Sequence, residues 1–200
     1  MLQKQSVSPK LLELLNAIMA EELFQDFVLV GGTSLALQLG HRNSVDIDLF
    51  GASEIDDIAF RQTLSGFGET VLLKKSKNIL ILSVAGIKVD FVNYQYPWIE
   101  PIVSLDTVRL AGKKDIAAMK LNAITGRGSK KDFIDIYFLL KHFSLAEMME
   151  FYQQKYADGS EFLVIKSLTY FDDADREEMP VMYSPVKWDT IKKEIANMVK

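Results

Sequence analysis

The hexapeptide Val45-Asp46-Ile47-Asp48-Leu49-Phe50 constrains this chain more than any other stretch. Its acids alternate with apolar residues, the period-two pattern of a half-buried strand. Residues two apart on a strand point to one face, so Asp46 and Asp48 stand side by side. Adjacent carboxylates repel, and a divalent cation is a natural partner; magnesium takes one or two carboxylates together with substrate phosphates. A solvent-facing edge strand would show the same alternation, so periodicity alone leaves both readings open.

Upstream, residues 27–30 (Phe-Val-Leu-Val) read as a buried strand that ends at Gly31-Gly32, followed by a short helix over 33–39 that Gly40 halts. Glycines at a strand-to-helix turn let the backbone approach a ligand, and the helix beyond offers N–H groups to a phosphate. Thr33 and Ser34 add hydroxyl donors. Arg42, a few residues before the acidic strand, suits a carboxylate or a phosphate. His41 beside it reads as structural.

Downstream, Asp90 lies in Ile87-Lys88-Val89-Asp90-Phe91-Val92, an apolar strand where an ionised group is costly unless paired. If that strand neighbours the first, three carboxylates converge, an arrangement suited to two ions about 4 Å apart. The alternative is an Asp90 exposed on a sheet edge.

The remaining pattern sets the fold class. Ser8-Pro9 opens a helix over 11–23, and 55–64 predicts another. Residues 71–73, 79–84 and 87–94 predict strands, with Ala85-Gly86 as a hairpin turn. Beyond Pro101 the expectation is helical: 106–125 (interrupted at Gly112), 131–143, a helix capped by Ser144 that reaches Tyr156, an irregular stretch over 171–183, and a last helix from Trp188. The expected architecture is α+β, a small mixed β-sheet flanked by helices over 1–100, with a mainly helical region over 101–200 packed on it.

Composition narrows the chemistry. The chain lacks cysteine and has only His41 and His142, which excludes disulfides, thiol catalysis and Cys- or His-rich zinc sites. A metal here would have oxygen ligands, hence Mg2+ or Mn2+. The net charge of −4 is too small to name a partner, and a protein that wraps nucleic acid would carry a basic excess. No apolar run reaches the roughly 18 residues of a membrane span, and the N-terminus lacks a signal-peptide core, so a cytoplasmic location is expected and no membrane partner.

The helical half holds further candidates. Ile116, Met119 and Ala123 share an apolar face, and Lys120 borders it, either sending its ammonium into a cleft or snorkelling to water. Arg127, Lys130 and Lys131 form a basic cluster in a glycine-containing loop that suits a triphosphate or an RNA backbone, or a solvated turn. Asp132 and Asp135 share a helix face; the helix N-terminus alone explains Asp132, whereas apolar neighbours surround Asp135. The acidic stretch 172–175 lacks the glycine and spacing of an EF-hand and reads as solvated or partner-facing.

Taken together, GGTSLALQLGHRNSVDIDLF resembles the first motif of the AbiEii/AbiGii toxin family of bacterial nucleotidyltransferases, whose fold is shared with DNA polymerase beta. DIAAMKLNAITGR around Lys120, the stretch Lys131 to Tyr137, and the tail YFDDADREEMPVM are similar to later parts of that family. The resemblance implies metal-dependent transfer of a nucleoside monophosphate from a nucleoside triphosphate to an acceptor. In toxin–antitoxin members that acceptor is tRNA, and a cognate antitoxin protein is the implied partner. By the resemblance Asp46 and Asp48 hold the metal, and Ser34 with Gly31 and Gly32 contacts the phosphates. Lys120 would sit on the triphosphate, and Asp132 or Asp135 would support catalysis. With Asp90 as a third acid and Thr33, Arg42, Arg127 and Lys131 as further nucleotide contacts, the expected site is complete. Two other functions fit the same residues: transfer to a protein or a small molecule such as an antibiotic, and a non-catalytic nucleotide-binding module.

Overall fold

The computed structural model describes residues 1–199. The chain divides into two compact units, one of residues 1–95 with 102–111, the other of 96–101 with 112 onward.

The first unit is built on a seven-stranded mixed sheet among the described residues, in the order β3-β4-β5-β2-β1-β7-β6. Helix α1 (Pro9–Ala20) begins as its sequence requires: Ser8 accepts the Leu11 N–H at 3.1 Å, and Pro9 fills the first position. Strand β1 (Val28–Leu29) leads into α2 (Gly31–Leu39), then β2 (Ile47–Gly51) and α3 (Asp57–Ser65). Strands β3 (Thr70–Ser76), β4 (Ile79–Val84) and β5 (Ile87–Asn93) form an antiparallel run. The β4–β5 turn places Ala85 and Gly86 at φ 50° and 81°, the left-handed pair that a tight hairpin needs. Between β5 and β2 the pairing is parallel.

One segment corrects the sequence reading. Residues 103–110, where a helix is expected from 106, form the hairpin β6 (Val103–Leu105) and β7 (Val108–Leu110), and β7 adds to the sheet beside β1. The turn between them holds Asp106 at φ 54°. From β7, the Arg109 guanidinium reaches the carbonyls of Met19, Phe24 and Phe27 at 2.9–3.1 Å, which ties the hairpin to the start of the sheet. Under the sheet, Phe24, Phe27, Phe60 and Phe91 pack with ring centroids 5.0–5.7 Å apart. Burial of each such ring contributes about 2–3 kcal/mol.

In the second unit, α4 (Lys113–Gly126) is followed by α5 (Lys130–Leu139), α6 (Leu145–Lys155), α7 (Glu161–Ser167), α8 (Asp172–Asp175) and α9 (Trp188–Met198). Ser144 and Glu147 form a reciprocal capping box at α6. Segment 96–101 is held by a buried ion pair. Asp115 accepts the N–H groups of Ile99 and Glu100 and pairs with Lys155 at 2.7 Å, while the Lys155 ammonium also donates to the Pro97 carbonyl at 2.6 Å. Among the described residues no helix is long and apolar enough to cross a membrane.

Candidate active site

Strand β2 lies inside the sheet, antiparallel to β1 and parallel to β5, and β5 in turn lies between β2 and β4. Neither Asp48 nor Asp90 is on an edge, which removes the edge-strand reading of both. Along β2, Ile47 and Leu49 are fully buried and Asp48 and Phe50 half-buried, so the acids face the opposite side from the core. Asp48 and Asp90 are direct register partners, and Asp46 immediately precedes the first β2 residue. In-register neighbours on adjacent strands present their side chains to one face, with backbones about 4.8 Å apart. Two acids, Asp48 and Asp90, thus meet across the strand pair.

The glycine pair shapes the other wall. Gly31 and Gly32 are the first residues of α2, two residues earlier than expected, so the helix starts on the glycines themselves. Gly31 has φ +66°, and a Cβ there would lie 2.8 Å from Asp48 Oδ2. Both facts demand glycine, because an L side chain would be strained and would strike the carboxylate. Among the described residues no side chain caps the first turn of α2. The half-exposed helix start therefore presents its N–H groups beside Asp48, a suitable cradle for a phosphate.

Three expected phosphate contacts turn out differently. Thr33 is buried, and its hydroxyl meets the Asp46 carbonyl and, at 2.8 Å, the Ser44 hydroxyl; it positions the strand that carries the acids. Ser34 is fully buried and donates to the Ala111 carbonyl at 3.4 Å, with Gln38 donating to the Ser34 hydroxyl at 3.2 Å. Arg42 is buried and donates to the Asn43 carbonyl at 2.8 Å, so that guanidinium is not held out to solvent; His41 beside it is buried as well.

The convergence of three carboxylates also needs correction. Among the described residues no group of three acidic or histidine side chains could hold a metal ion. Asp90 lies under Lys88, whose ammonium contacts both carboxylate oxygens at 2.6 Å. The fit to a divalent ion therefore rests on Asp46 and Asp48, oxygen donors of the kind magnesium uses with phosphates, and on the cradle that a Cβ at Gly31 would fill.

In the second unit, Lys120 is 4% exposed and its ammonium contacts Asp132 at 2.8 Å and Asp135 at 2.7 Å, both carboxylates buried. Neither a cleft-reaching nor a snorkelling lysine describes it. Asp132 also accepts from Arg127 Nε at 2.8 Å and from the Ser129 hydroxyl at 2.8 Å. Burial would raise the Asp132 pKa, but the charges and hydrogen bonds of Lys120 and Arg127 outweigh it and hold the carboxyl well below the usual range. Of the basic cluster, Lys130 is buried, bonded to the Glu177 carbonyl and stacked 5.2 Å from the Trp188 ring, whereas Lys131 and Arg127 are exposed. A cleft of about 310 Å³ opens beside the Arg127 loop, lined by Ile124, Leu163, Lys166 and Tyr170 among others. No sequence signal points to this cleft, whereas Lys88 is signalled by its i, i+2 spacing from Asp90 on a strand.

The profile of the family described as "Nucleotidyl transferase AbiEii toxin, Type IV TA system" matches residues 13–199. The chain belongs to the AbiEii nucleotidyltransferase toxin family. An uncharacterized protein of Aquifex aeolicus (strain VF5) is 38% identical over 194 residues, which cover 94% of this chain and 93% of that one. Two solved structures share the fold. MenT4, a nucleotidyltransferase toxin from Mycobacterium tuberculosis H37Rv, matches with a TM-score of 0.61 at 16% identity, over 95% of this chain and 82% of that one. JHP933 from Helicobacter pylori matches with a TM-score of 0.59 at 16% identity, over 95% and 87%. At that identity the likeness concerns the fold, and the α+β architecture around the acidic strand pair is that of nucleotidyltransferases.

Proposed function

We propose that this AbiEii family member transfers a nucleoside monophosphate from a nucleoside triphosphate to a nucleic-acid acceptor, tRNA by the family resemblance, with Mg2+ or Mn2+. The observation that carries the reading is Gly31, whose missing Cβ leaves 2.8 Å to Asp48 Oδ2 at an uncapped helix start. A helix N-terminus against a carboxylate pair suits a phosphate only if a cation joins them, and a metal-bound triphosphate supplies both. The N–H groups of Gly31 and Gly32 would hold a phosphate, and Asp46 and Asp48 would hold the ion. When bound, that ion offsets charge on the phosphates and orients them.

The acceptor hydroxyl oxygen attacks the α-phosphorus as the bond to the pyrophosphate oxygen breaks, and pyrophosphate leaves with the bonding electrons. Asp90, in register with Asp48, would take the hydroxyl proton. In the second unit, the resemblance assigns Lys120 to the triphosphate and one of Asp132 and Asp135 to catalysis, and exposed Arg127 and Lys131 would meet nucleic-acid phosphates. Half-exposed Tyr170, with Arg127 and Lys166 in one cleft, supports an acceptor that offers an unstacked base next to a phosphate. An antitoxin protein as partner and a cytoplasmic site of action belong to the same reading.

The assignment is tested by Asp48→Asn, which keeps the shape of the side chain. Transfer of label from a triphosphate to RNA should fall by at least about 100-fold with unchanged melting, the scale for loss of transition-state charge stabilisation. Transfer at the wild-type rate would remove the metal-site assignment.

A further inference from the structure

Strand β3 ends the sheet: β4 pairs with one side of it, and among the described residues no strand pairs with the other. An edge strand leaves a row of backbone N–H and C=O groups open to an added strand. Every residue of β3 after Thr70 is exposed, and the consecutive Val71, Leu72 and Leu73 are 40–55% exposed. Single apolar residues on a surface need no explanation, but three in a row on an open edge make a patch. Register with β4 sets Thr70, Leu72 and Lys75 opposite Val84, Leu82 and Leu80, all fully buried, so these three lie on the core side. Helix α3 lies on that side too, since Lys75 reaches Asp57 at 2.6 Å. A groove of about 560 Å³ opens there, lined by Ile58, Arg61 and Gln62 of α3 and by Glu69 and Thr70, and Ile58 is 73% exposed.

Charge is polarised along this edge. Glu69 stands at its start, and exposed Lys74, Lys75 and Lys77 stand at its end. Asp57 answers Lys75, while Lys74 and Lys77 have no ion-pair partner among the described residues. We propose that β3 accepts an extended segment of a protein partner, antiparallel to it, with acidic residues facing Lys74 to Lys77 and apolar residues over Leu72 and Ile58. In such strand addition main-chain hydrogen bonds supply affinity, and here the lysines and the groove supply the choice of partner. A second copy of this chain fits less well. Its edge also carries three lysines against one glutamate, and lysines with a bulge, here between Leu72 and Lys74, keep the edges of like copies apart. Nucleic acid would meet the lysines but leave the backbone edge unpaired, and β3 has no aromatic ring for a base to stack on. This surface is independent of the nucleotidyl-transfer reading, because β3 carries none of the residues assigned to that chemistry.

The probe is a synthetic peptide of alternating valine and threonine with glutamates at its N-terminal end, added to the 200-residue chain. At saturating peptide, amide hydrogen exchange over 70–76 should slow by at least about tenfold. Lysine in place of the peptide's glutamates should weaken binding by about tenfold, and so should Lys74→Glu with Lys77→Glu in the chain, with melting unchanged. If that double variant unfolds, Lys74→Gln with Lys77→Gln takes its place. N-methylation of alternate peptide amides removes the ladder donors and should abolish the protection. Exchange that does not slow over 70–76, or that slows equally with the N-methylated peptide, overturns the proposal. A polyuridylate oligonucleotide that protects 70–76 and displaces the peptide also overturns it and assigns the edge to nucleic acid. A dimer of the chain alone in sedimentation, dissolved by Leu72→Glu, overturns it in favour of a second copy.

Discussion

Gly31 links backbone conformation to chemistry within a single residue. Its φ of +66° costs an L residue about 1–2 kcal/mol, and an added Cβ would displace the Asp48 carboxylate. Gly31→Ala should therefore lower stability by about that amount and abolish triphosphate binding, measured by urea unfolding and calorimetry. Gly126→Ala, where a Cβ meets nothing within 4 Å, should be neutral or slightly stabilising. Lys120 gives a second case. Its removal in Lys120→Met takes the ammonium from two buried carboxylates and should cost about 3–5 kcal/mol. Asp132 adds a pH signature. Its pKa is depressed on folding, so its contribution is fully present above the unfolded value of about 4 and is lost as pH falls through the lower folded value. The stability gap between wild type and Asp132→Asn should be constant from about pH 5 to 8 and shrink below about pH 4. Asp46, Asp48 and the glycines were legible in the sequence because strand alternation and a strand-to-helix glycine pair are local signals. The direction of Ser34 was not, since its partner Ala111 lies 77 residues away.

At the scale of elements, sequence and structure agree where the end signals are strong and diverge where two periodicities compete. Helix α1 begins at its Ser-Pro signal, and α6 begins at its capping box. The helix expected over 106–125 overruns strand β7, because that strand leads into a long helical pattern. Yet Val103, Leu105, Val108 and Leu110 alternate with Ser104 and Arg109 as strands do, and pairing of Leu110 with Leu29 settles the state. Segment 96–101 shows the reverse, a loop whose order comes from helix side chains. Burial pushes the Lys155 ammonium pKa down while Asp115 opposes it, and together they fix three backbone groups. Lys155→Met should destabilise the chain by about 3 kcal/mol and speed proteolytic cleavage at 96–101, read by limited digestion; an unchanged cleavage rate would refute this role.

At the scale of the molecule, the acidic strand pair and glycine-led helix lie in one compact unit, and the buried Lys120 network in the other. The fold class was legible because α-helix and strand periods alternate over the first hundred residues. The extent of the first unit was not, because its last two strands return after segment 96–101. Family membership establishes the kind of enzyme, while the chemistry of this chain rests on Asp48 facing Asp90 beside Gly31. The most direct measurement is incubation of the 200-residue chain with each α-labelled nucleoside triphosphate, Mg2+ and total tRNA, with label in RNA as the readout. Label should enter RNA from at least one triphosphate with wild type and fall to background with folded Asp48→Asn; no labelling by wild type, or equal labelling by the variant, would contradict the account.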